Sequence, residues 1–132
     1  MTTLGVLDLV PISSGSTAPQ ALRNSIDLAR QAESLGYNRY WFAEHHLNPG
    51  VAGTSPAVLL ALTAAETSTI RLGSGADRVE TQFVGTAIQV ADQLERLRDA
   101  TEADELIITT ITHDHHDRVH SYRLLAEEWA RR

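Results

Sequence analysis

Residues 39–46 read Arg39-Tyr40-Trp41-Phe42-Ala43-Glu44-His45-His46, an aromatic run that passes into an acid and two histidines. Three of its first five residues, Tyr40, Trp41 and Phe42, are aromatic and favour a pleated, half-buried strand. The next three are an acid and two imidazoles, which end the strand in a polar loop running to Thr54. Histidine titrates near ~6.5 and serves as acid or base around neutral pH. The stretch is therefore a short strand that delivers proton-transfer groups at its carboxyl end.

Working outward, strand-like and helix-like segments alternate, the signature of an α/β fold. Before the stretch, Leu4–Val10 is an apolar run suited to a strand buried on both faces. Pro11–Ser16 is a loop, and Thr17 caps a helix with Pro19 in its first turn. Leu22, Ile26, Ala29 and Leu35 mark one face of that helix, and Gly36 ends it. After the stretch, Ser55-Pro56 opens a helix to about Thr67 that is apolar nearly all round and so is expected to be well buried. Ile70–Ser74 reads as a third strand and Gln82–Val84 as a fourth. A helix then runs from about Ala87 to Ala100 with Val90, Ala91, Leu94 and Leu97 inward. Glu105–Ile111 is the fifth strand, and a last helix over Asp114–Ala130 buries Val119, Tyr122, Leu125, Ala126 and Trp129.

One junction breaks the alternation. Ser74 and Gln82 are joined only by Gly75 through Thr81, whereas adjacent parallel strands need a crossover of about a dozen residues. An antiparallel hairpin through Gly75–Arg78 would resolve the conflict, and so would pairing of the second half with another copy.

Composition sets the outer limits. The 132 residues fit one domain and fall short of the roughly 200 that a full (β/α)8 barrel needs. A net charge of −6, with arginine as the only strong base and scattered along the chain, argues against nucleic acid. No apolar run approaches the ~18 residues of a membrane span, and the start lacks the basic region of a signal peptide. The chain has no cysteine, which excludes disulfides and thiolate chemistry and fits a cytoplasmic location.

Tyr40 through His46, with Asn48-Pro49 and Ser55-Pro56, is similar to the start of luciferase-like flavin-dependent monooxygenases. Leu72-Gly73-Ser74-Gly75-Ala76 resembles the third barrel strand of that family. Phe83-Val84-Gly85-Thr86, Glu105–Thr110 and Ser121–Glu127 resemble its C-terminal end. The resemblance implies a single truncated domain, with residues 1–76 an N-terminal barrel part and 77–132 a C-terminal one. Three central strand–helix units are missing between them. It implies a partial (β/α)8 barrel of about five mostly parallel strands and four helices, in the order 3-2-1-5-4. Open edges and a bared interior then favour a homo-oligomer.

The same resemblance implies function. His45 matches the family's active-site histidine and Glu44 orients or polarises the site, while Ser74, Gly75, Ala76 and His46 would contact reduced FMN. A deazaflavin is the alternative cofactor, O2 and a small organic substrate are the reactants, and a flavin reductase is a possible supplier. A rival reading is a non-catalytic barrel remnant or engineered half-barrel that self-associates. Taken alone, Glu44–His46 is a polar loop and Gly73–Ala76 a strand running into a turn. His113, His115, His116 and His120 have spacings that metal sites use, but Asp114 suits a helix N-cap and Asp117 its third position, so no metal is assigned.

Overall fold

The computed structural model describes residues 2–44, 49–53, 55–75 and 82–132. The apolar run Thr3–Asp8 forms β1, and it lies inside the sheet because both of its edges find parallel partners. On one side, Val6 registers with Tyr40 of β2 (Arg39–Ala43); on the other, Leu4 registers with Leu106 of β4 (Glu105–Ile108). β3 (Arg71–Gly75) adds to β2 with Trp41 opposite Gly73. All pairs are parallel, and the order is β3-β2-β1-β4.

Parallel strands need helical crossovers, and local signals place them where the sequence indicates. α1 (Ala18–Ser34) starts at Thr17, whose hydroxyl accepts from the Gln20 amide. It ends at Gly36, which has φ +83°. There Gly36 N–H donates to the Glu33 carbonyl and Tyr37 N–H to that of Ala32, closing a Schellman turn. α2 (Pro56–Glu66) leads into β3. α3 (Ala87–Thr101) begins with a reciprocal capping box between Thr86 and Gln89. α4 (His115–Trp129) begins at Asp114, which accepts from the amides of His116 and Asp117.

Alternation along the strands sorts side chains by face. Leu4, Val6, Tyr40, Phe42 and Leu106 are buried in the core shared with Leu28 and Ala32 of α1, Leu59 of α2, and Tyr122, Leu125 and Trp129 of α4. Gly5, Leu7, Trp41, Gly73 and Ile107 lie on the opposite face, the interior side of a closed barrel.

Two expectations change. Gln82–Val84 forms no strand, so among the described residues the sheet has four strands rather than about five. The expected neighbour of strand 1 is nevertheless found, since the Glu105 strand pairs with β1 as the family order requires. Three residues lying next to a helix cap at Thr86, with Gly85 at φ +155°, are too short and too bent to hold a ladder. The hairpin alternative is also absent among the described residues, since β3 pairs only with β2. The second change concerns α2, whose nearly all-round apolar surface implies a well-buried helix. Only Pro56, Leu59 and Thr63 are buried, while Val58 and Leu62 are 57% and 51% exposed. The helix covers an edge strand, so a single stripe of its surface finds neighbours.

Candidate functional site

Because the strands are parallel, β1, β2 and β3 release their chains on the same side of the sheet. The loops after β1 and β2 are laced together there. Ile12 N–H donates to the Gly50 carbonyl at 2.8 Å and Ala52 N–H to that of Val10 at 2.9 Å. Glu44, at the carboxyl end of β2, donates its amide to the Gly75 carbonyl at 3.3 Å. The end of the strand carrying the predicted catalytic acid is thus joined to the end of the strand predicted to meet a flavin.

Beneath these loops lies a buried polar network that the sequence reading did not single out. Asp8 is fully buried at the end of β1. One carboxylate oxygen accepts from Val10 N–H and from Arg118 Nη2, both at 2.8 Å, and the other accepts from Tyr40 O–H at 2.5 Å. Arg118 is 3% exposed and also donates through Nε to the Thr110 carbonyl at 2.8 Å. Burial alone would raise the Asp8 pKa, but the Arg118 guanidinium and these donors hold it below the usual carboxylate value. Burial and the Asp8 charge together push the Tyr40 phenol well above its ordinary range. Val10 has φ +51°, a costly conformation for a β-branched residue, and the Asp8 carboxylate holds its amide in place. The available signal was Asp8 itself, an acid inside an otherwise apolar strand.

At the β4 edge, β4 and α3 border an open cleft of about 1230 Å³ that reaches round to the interior face of the sheet. Leu7, Trp41, Gly75, Phe83, Ile107 and Tyr122 contribute to its lining. Trp41 lies flat across β3, and a Cβ on Gly73 would come within 2.7 Å of its ring. Glycine is therefore needed at Gly73 for the indole to lie against the backbone. The indole N–H of Trp41 and the hydroxyl of Thr109 are shielded from solvent and have no hydrogen-bond partner among the described residues. Glu105 is the only charged side chain among the described lining residues. The cleft has room and flat apolar surface for a tricyclic ring. Its described lining offers no cation for a phosphate.

Of the residues predicted from sequence, Gly75 lines this cleft and Glu44 is exposed beside it. Ser74 pairs in register with Phe42, so its side chain alternates toward the helix-covered side and is exposed at the sheet edge. His45, His46 and Ala76 lie outside the described residues. In the histidine-rich segment, His115 Nε2 pairs with Asp27 of α1 at 2.7 Å, and His116 and His120 are exposed. No group of three metal-ligating side chains converges among the described residues. No described helix is long and apolar enough to cross a membrane.

Comparison with known proteins places this geometry. The profile of the family described as luciferase-like monooxygenase matches residues 2–79. A luciferase-like monooxygenase of Escherichia coli K12 is 53% identical over 70 residues, covering 53% of this chain and 21% of that protein. Among solved structures, apo-MsnO8 superposes with a TM-score of 0.55 at 30% identity, covering 93% of this chain and 37% of the other. The oxygenating constituent of 3,6-diketocamphane monooxygenase from Pseudomonas putida, solved with FMN, gives a TM-score of 0.52 at 18% identity, covering 97% and 39%. The chain spans about a fifth of its curated relative, and its α/β fold corresponds to part of these larger barrels. The matched profile covers more than half of the residues, and the chain belongs to the luciferase-like monooxygenase family.

Proposed function

We propose that the chain is a flavin-binding member of this family whose chemistry is that of a monooxygenase using reduced FMN and O2 on a small organic substrate. The observation carrying this reading is the junction of the β2 and β3 ends, where Glu44 meets Gly75 beside a cleft floored by Trp41 and glycine. Bound reduced flavin would supply the oxygen chemistry. The protein's task is to seat the ring against the Gly73–Gly75 backbone, with Ala76 and His46 completing that contact and Ser74 contributing its backbone. His45 transfers the proton and Glu44 orients or polarises it. Trp41 and the apolar cleft wall exclude water from the ring.

Titration with FMN, followed by flavin fluorescence, tests this reading. Saturable quenching that His45→Ala weakens or alters is the expected result. Among the described lining residues no cation meets a phosphate, which adds a second expectation: riboflavin and FMN should bind within about tenfold of each other, a difference below roughly 1.4 kcal/mol. No quenching with either flavin at about 100 μM, a Kd worth only about −5.5 kcal/mol, would favour a non-catalytic barrel remnant.

A further inference from the structure

The sheet is an arc of four parallel strands with free edges at β3 and β4 among the described residues. Four is half of the eight strands that close a (β/α)8 barrel. On the interior face of the arc Ile107 is 47% exposed, while Leu7, Trp41 and Gly73 are half-buried. Val84 and Ile111, which share a cleft with β4, are 80% and 65% exposed. Exposed apolar groups concentrated beside a free strand edge mark a surface that another chain covers.

Charge identifies the occupant. Arg71 is exposed at the start of edge strand β3, has no ion-pair partner among the described residues, and sits directly opposite Arg39 on β2. Like charges in that position repel. At the other edge, Glu105 starts β4 and already holds Arg39 through Nε at 2.8 Å. Both edges therefore begin with a charge, arginine on β3 and glutamate on β4. A second copy related by a two-fold axis would set β3 of each chain beside β4 of the other. Each Arg71 then approaches Glu105 of the second copy, twice per closed pair.

We infer that this face is the interface of a homodimer in which two four-strand arcs close one eight-stranded barrel, joined by β3–β4 pairing and anchored by Arg71 and Glu105. This assembly rests on the sheet and its edges and is independent of flavin binding. The interface is self-complementary and closes, so it stops at two chains. It also gives the interior cleft its missing wall.

Sedimentation velocity of the full chain from about 1 to about 100 μM tests the assembly. The expected species has about twice the 14.5 kDa chain mass, and small-angle scattering should give the ~18 Å radius of gyration of a compact particle of that size. Arg71→Glu should shift the protein to monomer with unchanged far-UV circular dichroism, and Arg71→Lys should retain the dimer. If Arg71→Glu does not fold, the wild-type mass and radius still decide. A wild-type monomer at about 100 μM would overturn the proposal. So would a dimer indifferent to Arg71→Glu, an elongated dimer, oligomers that grow without limit, or a monomer whose cleft takes FMN in place of the second chain.

Discussion

Arg118 illustrates how much one side chain can settle. It is almost fully buried, yet it holds the Asp8 carboxylate on β1 and the Thr110 carbonyl that follows β4. Removing one partner of a buried ion pair strands the other charge in a dry interior. Arg118→Met is therefore expected to cost about 3–5 kcal/mol, read as a lower urea midpoint. A loss under ~1 kcal/mol would show that water reaches Asp8. Residue-scale features were legible in the sequence where they were local. Thr17, Gly36 and Asp114 act on amides or carbonyls a few positions away, and each was placed correctly. The Asp8–Arg118 pair spans 110 positions, and nothing in the spacing of either residue reveals the other.

Between elements, Glu33 does the corresponding work. From the last turn of α1 its carboxylate accepts the amides of Ser68, Thr69 and Ile70, at 2.9, 2.7 and 2.9 Å, fixing the approach to β3. These backbone donors lower its pKa from 4.5 to about 2. A carboxylate depressed in the folded state stabilises the protein above its unfolded pKa and loses that contribution as pH falls through the folded one. The thermal midpoint is thus expected to drop between pH 4.5 and about 2, and Glu33→Gln should flatten that part of the profile. A variant with the wild-type acid limb would show that the clamp contributes nothing. Elements defined by their own sequence were legible at this scale, including all four helices. What failed was the burial of α2, which its neighbours set: Val58 and Leu62 are as apolar as core residues, and only the position of α2 at the sheet edge exposes them. Gln82–Val84 likewise has strand-like residues but no ladder to join.

For the whole molecule, the two stretches joined at residues 76–81 behave as one body. Asp8 binds Arg118, Tyr37 O–H donates to the Tyr122 carbonyl at 2.8 Å, and Trp129 Nε1 donates to that of Thr2 at 3.1 Å. Trp41 and Trp129, the only tryptophans, report from the two stretches separately. Trp129→Phe and Trp41→Phe should therefore leave reporters whose urea transitions coincide with each other and with circular dichroism. An earlier transition at Trp129 would mean that α4 detaches first. The central position of β1 has a further consequence, in time rather than space. During synthesis β1 and β2 emerge together, but β4 comes about a hundred residues after β1, and Arg118 follows it. Until then Asp8 has no counter-ion and one side of β1 has no neighbour. Completion of the sheet around β1 must wait for β4 and α4, which makes folding dominated by distant contacts.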